Sequence, residues 1–139
     1  MEKFIDFIGE KGAELFIFTT STVVITLGGA DKALTTLLSL MAIDYTTGII
    51  KSLKKGNLDS TTGMLGIQKK FTMILIIITA VLLDRMVGLD EANISFRQII
   101  LTFYVGMEGI SIIENAEEIG VPVHSKIKEL FKNLSEKNK

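Results

Sequence analysis

The chain has no cysteine and no tryptophan, a single histidine (His124) and a single proline (Pro122). Without cysteine, disulfides and thiolate metal sites are excluded, and one histidine cannot make a His-rich metal cluster. Charge of one sign is also lacking: the formal net charge is −1. Bulk charge therefore suggests neither nucleic acid nor a polyanionic substrate as a partner. No nucleophile, metal cluster or phosphate-binding loop accompanies the acids discussed below, so no enzymatic activity and no cofactor are expected. The N-terminal stretch MEKFIDFIGEKGAELF alternates acids and lysines. It lacks the basic leader of a secretory signal and is expected to be retained.

What is present is apolar. Of 139 residues, 47% are hydrophobic, and the mean hydropathy is +0.42. This length suits one domain covering 1–139. Four apolar blocks stand out: Leu15 to Ala30 without charge, Leu34 to Ile50 with only Asp44, Phe71 to Leu83 without charge, and Gln98 to Ile113 with only Glu108. Each is near the short limit for crossing a bilayer, where about 17–25 residues are usual. The expected fold is an all-α integral membrane protein with four short transmembrane helices at 15–30, 34–50, 70–88 and 96–114. A soluble four-helix bundle is the alternative, disfavoured because the third block has no polar face to turn toward water. If residues 1–30 lie on the membrane surface, three spans remain.

The connections fit this reading. GGADK is a tight turn between the first two blocks, and SLKKGNLDSTTGMLGIQKK is a longer loop punctuated by Gly56, Gly63 and Gly66. Ser95-Phe96-Arg97-Gln98 fits a capping box, with Ser95 as N-cap and Gln98 reaching back. Basic residues near the spans set orientation. Lys3 and Lys11, the loop residues Lys51, Lys54, Lys55, Lys69 and Lys70, and Lys126, Lys128, Lys132, Lys137 and Lys139 fall on one side, twelve in all. Only Lys32, Arg85 and Arg97 fall on the other. Both termini are expected in the cytoplasm. The flanks at 1–14 and 125–139 are amphipathic, through Phe4, Phe7 and Ile8 at the start and Ile127, Leu130, Phe131 and Leu134 in the basic tail, with Ser125 as N-cap. Both suit the cytoplasmic leaflet, making membrane lipid a partner.

Two acids need an explanation, since a charge at the centre of a spanning helix costs about 2.5–3.5 kcal/mol. Tyr104, Glu108, Ser111 and Asn115 recur at helical spacing and form one polar stripe. Thr36, Asp44, Thr47 and Lys51 form another, interrupted by Leu40, and Thr19, Thr22 and Thr26 a weaker one. These residues are candidates for lining a pore or for polar contacts between helices. A second face of the fourth block carries Thr102, Gly106 and Gly109, whose small size suits close helix packing.

The stretches DYTTGIIKSLKKGNLDSTTGMLGIQKK, LLDRMVG and FYVGMEGISIIENAEEIGVPV occur in order over roughly residues 38–134. This pattern resembles the toxin secretion/phage lysis holins, the type that includes clostridial toxin-release holins. The matching positions are Asp44, Gly48, Lys51, Gly66, Lys69, Lys70, Asp84, Glu108, Gly109, Ser111, Glu114, Asn115, Gly120 and Pro122. Two features depart from the family: His124 stands where relatives often have proline, and the next methionine after Met1 is Met41, which disfavours a second start a few residues in. Family members are often drawn with three spans. The resemblance implies a protein that oligomerises in the bacterial cytoplasmic membrane and opens lesions for an endolysin or a toxin. It implies that Glu108→Leu changes lysis timing more than Leu101→Ala. An antiholin-like regulator and a small proton-coupled multidrug transporter remain alternatives.

Overall fold

The computed structural model describes residues 2–56, 60–89 and 94–136; the side chains of residues 2–6, 8, 60, 62, 128, 131, 132 and 134–136 fall outside that description. Five helices account for nearly all of it: α1 (Glu2–Thr26), α2 (Lys32–Lys54), α3 (Ser60–Val87), α4 (Phe96–Ile119) and α5 (Ser125–Glu136). The fold is all-helical among the described residues. The N-terminal flank and first apolar block are one continuous helix. Of the amphipathic residues expected there, only Phe7 is described, and it is exposed. The third helix starts ten residues earlier than the sequence suggests, so Lys69 and Lys70 lie inside it rather than in a loop. Lys51 and Lys54 likewise belong to the last turn of α2.

Local chemistry explains the boundaries. Asp31 caps α2, its carboxylate accepting the Leu34 N–H at 2.9 Å. Ser95 caps α4 as its sequence position foretells, taking the Gln98 N–H at 3.2 Å. Gly120 ends α4 at φ 98°, in the left-handed region open to glycine. Its own N–H and that of Val121 return to the Ala116 carbonyl, and Pro122 blocks continuation. At α5 the expectation fails by one residue. Ser125 is the first helical residue, and His124 Nδ1 before it accepts the Lys126 N–H at 3.3 Å.

α4 is the central element, touching α2, α3 and α5, whereas α2 and α3 touch one another only sparsely. On α2, Leu34, Leu37 and Met41 turn inward; on α3, Met73, Ile77, Ala80 and Val81; on α4, Leu101 and Tyr104. With Leu27 and Ile113 they make up the buried apolar core. α1 stays almost free of helix contacts, joined to the rest near its C-terminal end, where Leu27 enters the core and Arg85 donates to the Ile25 carbonyl at 3.1 Å.

The distribution of polarity is inverted relative to a soluble domain. Phe16, Phe18, Phe71, Leu75, Ile76 and Leu82 face outward, while Asp84, Arg97, Glu108 and Asn115 are buried. α2 and α4 are each long and apolar enough to cross a membrane, and only 17% of the most apolar window of α2 is buried. A core helix of a soluble bundle would be buried over most of its length. Apolar faces turned outward in this way suit a lipid-facing surface better than the water-facing one of a soluble bundle.

Candidate functional site

The polar residues are arranged in two tiers separated by the apolar core. The lower tier is built on α2, α3 and α4. Lys70 of α3 reaches Asp44 Oδ2 of α2 at 2.9 Å and also bonds the Glu108 carboxylate of α4. Glu108 is 3% exposed. From Asp44 the network continues to Asn115, whose Nδ2 donates to Asp44 Oδ1 at 3.0 Å and to Thr47 Oγ1 at 3.2 Å. Lys51 Nζ donates to Asn115 Oδ1 at 3.1 Å and pairs with Glu118 at 3.0 Å. Lys55 completes the chain on Glu118. Three carboxylates thus meet three ammonium groups, and the network as a whole is neutral. Lys55 and then Lys51 hold the Glu118 carboxyl below its ordinary value. Lys54 donates to the Ile119 carbonyl, placing a cation at the negative end of α4.

Helical spacing explains why these groups meet. Asp44, Thr47, Gly48 and Lys51 continue the inward face that begins with Leu34, Leu37 and Met41. Gly63, Gly66, Lys70, Met73 and Ile77 do the same on α3, three or four residues apart. Asp44 and Glu108 are therefore neither lipid-facing nor open to water on all sides: each accepts a charge-assisted bond from one lysine. No buried side-chain nitrogen or oxygen among the described residues lacks a partner.

The upper tier ties the opposite helix ends together. Asp84, 2% exposed, accepts the Phe96 and Arg97 N–H groups at 2.8 and 2.9 Å. It satisfies orphan donors at the start of α4. The Arg97 side chain turns back to the α1–α2 turn, donating to the Leu27 and Gly29 carbonyls at 2.7 and 3.0 Å and pairing with Asp31. That bond with Arg97 is the main reason the Asp31 carboxyl is held below its ordinary value; burial opposes it, and the Leu34 N–H adds to it. Gly28 lies against this side chain at φ 81°, and a Cβ there would stand 2.7 Å from Arg97 Nε.

Of the residues singled out in the sequence, Asp44, Thr47, Glu108, Asn115 and Lys51 are brought together. Ser111 lines the cleft beside them. Tyr104 instead joins the apolar core, its ring 5.6 Å from that of Phe103. Thr36 is exposed, so the stripe on α2 is shorter than its spacing suggests. Thr19, Thr22 and Thr26 donate to carbonyls of their own helix, as does Thr102 to Gln98 at 2.8 Å. Gly106 and Gly109 are buried within the chain. Lys69 is exposed, and Lys54 and Lys55 cover the end of α4. The main omission is Lys70, assigned from sequence to a basic loop although it is the cation of the central cluster. Its place on the Met73–Ile77 face was the available signal. Arg97 and Asp31 were also missed, because their partners are distant in sequence.

On α4, Arg97 and Glu118 are 21 residues apart, about 32 Å along a helix, close to the roughly 30 Å of a hydrocarbon core. Glu108 lies about midway. An ionic cluster buried midway along helices that turn apolar faces outward narrows the kind of protein sharply. The sequence profile of the bacteriophage holin family matches residues 21–136. The chain belongs to the bacteriophage holin family. It is 43% identical over 110 residues to an uncharacterised 14.9 kDa protein of Clostridium perfringens, covering 79% of this chain and 82% of that one. An uncharacterised Clostridium acetobutylicum protein is 34% identical over 107 residues, 77% and 84% of the two chains. A protein of Bacillus phage phi105 described as a probable holin is 35% identical over 101 residues, 73% of each. No solved structure matches the chain significantly. For this holin-family chain, family and apolar helices together indicate a membrane location, and the arrangement described holds charge inside the helix packing.

Proposed function

We propose that this protein acts as a phage-type holin in the bacterial cytoplasmic membrane. α1 to α4 cross the bilayer with both termini on the cytoplasmic side, copies associate, and the assembly opens lesions through which an endolysin, or a toxin, leaves the cell. The observation that carries this reading is the buried Asp44–Lys70–Glu108 cluster midway along the apolar helix α4 in a chain of the holin family. Apolar helices alone would suffice for an anchor. Charges retained at about 2.5–3.5 kcal/mol each in hydrocarbon call for a use. In the described state the cluster is closed by its own ion pairs. In an open lesion the same residues, with Thr47, Ser111 and Asn115, would face water at far lower cost.

The test is inducible expression in a bacterium while membrane potential is followed, with and without a co-expressed endolysin. Abrupt loss of potential, followed by lysis only when the endolysin is present, is the expected result. Tolerated expression without effect would favour the antiholin-like regulator instead, and tolerated expression with drug efflux the transporter. The phage phi105 relative, described as a probable holin, supports the first outcome.

A further inference from the structure

α5 does not trail away from the chain. After the short link 120–124, begun by the Gly120 stop, it turns back and packs against α4, closing a helical hairpin. Its twelve residues extend about 18 Å, so a return that starts beside Ile119 reaches back to the level of Glu108. What α5 covers there follows from the side of α4 that the other helices leave open. The Glu108 and Asn115 side meets α2 and α3. At about 100° per residue, Gly109, Ile113 and Ala116 lie about 80–140° round from Glu108. Gly109 and Ile113 are nonetheless buried and Ala116 half-buried. α1 stays almost free of helix contacts, which leaves α5 as the cover of this side.

The fit of that cover is poor. Ile127 and Leu130 share one face of α5, yet they stay 45% and 64% exposed, and Val121 in the link is exposed as well. A helix docked for good would turn its apolar face to its partner. The charge is no better placed. Residues 125–139 carry five lysines and two glutamates, and a basic helix gains little beside one that crosses the bilayer. On an anionic lipid surface the lysines and the apolar face of α5 both find partners, and the short link keeps α5 within reach of that surface. α4, for its part, carries glycine and alanine on the covered side, small residues that let another helix backbone come close.

We propose that α5 is a latch on α4. Docked, it keeps the Gly109–Ile113–Ala116 face from a second copy; drawn onto the anionic lipid surface, it yields that face to the same face of another α4. The inference rests on the self-association proposed above and adds its control. Both copies present the same patch, so the contact that replaces α5 is isologous.

The chain has no cysteine, so an introduced disulfide can hold the latch shut. Counting from the turn, Ala116→Cys stands opposite Lys128→Cys, and Ile113→Cys opposite Phe131→Cys. The first pair stands in if the second, at a buried position, fails to fold. The purified double variant is placed in dye-loaded vesicles of phosphatidylcholine and phosphatidylglycerol. Oxidation should close a disulfide within single chains, slow dye release several-fold and cut amine cross-linking between copies. Dithiothreitol should restore both. Vesicles of phosphatidylcholine alone should keep release slow even after reduction. Equal release from locked and reduced protein overturns the proposal, as does the failure of both pairs to close within a chain. Release that is the same without phosphatidylglycerol overturns it too, because the lipid surface then does not draw α5 away. In each of these cases release and cross-linking by the reduced protein leave the function proposed above standing. Reduced protein that neither releases dye nor cross-links overturns both.

Discussion

At the scale of the residue, Lys70 decides the electrostatics. Its ammonium bridges Asp44 and Glu108, and removing one partner of a buried ion pair costs about 3–5 kcal/mol. Lys70→Met leaves two carboxylates facing each other and should lower stability in detergent by that order. Adding Glu108→Gln should recover part of the loss, and a double-mutant cycle read from denaturant titrations measures how much. Additive effects would show that the pair is not coupled. Asp31 makes a different, pH-dependent prediction. Its carboxyl is held below the ordinary value chiefly by Arg97. Its contribution is therefore complete above the unfolded value, about 3.9, and is lost as pH falls through the lowered folded value. Melting temperature should drop below about pH 4 for this reason, and Asp31→Asn should melt lower at neutral pH with a shallower acid limb. An unchanged acid limb in that variant would remove Asp31 from the account.

At the scale of the element, the ends of α1, α2, α3 and α4 are held by one set of bonds. Asp84 reaches from α3 to the first N–H groups of α4, and Arg97 reaches from α4 to the α1–α2 turn. Asp84→Ala strands buried donors and should cost about 1–3 kcal/mol, seen as a lower melting temperature of the purified protein. Gly28→Ala meets both a positive φ and Arg97, with strain of order 1–3 kcal/mol. Gly29→Ala next to it has the strained φ of 102° but no neighbour within 4 Å. It should cost less, and the difference between the two isolates the Arg97 contact. The capping role of Ser95 was legible from sequence because it acts within a few residues. Asp84 was not, since its partners lie 12 and 13 positions away.

At the scale of the whole molecule, polarity is turned inside out: ion pairs within and apolar side chains without. Lysis timing in an inducible system tests whether the interior charges serve function. Glu108→Leu should shift timing far more than Leu82→Ala, which truncates an outward side chain. Leu101, a natural choice of control from sequence, is fully buried in the core. Its truncation would act through stability instead. Equal timing for Glu108→Leu and Leu82→Ala would remove the special role of the cluster.

The sequence by itself determined that the chain is helical and apolar in blocks, that Asp44 and Glu108 belong to polar stripes, and that its motifs are those of holins. Those features are local: hydrophobic period, caps, and residue types at fixed spacing. Only the tertiary structure decided what each stripe meets. Spacing places Asp44 on one face of α2 and Glu108 on one face of α4, but the partner comes from α3, 26 and 38 residues away from them. A lysine beside other lysines looks like a loop when only neighbours in sequence are visible. Inside a packed set of helices, the same lysine becomes the group that makes two buried acids tolerable, because charges in an apolar medium must be paired wherever along the chain the partner lies.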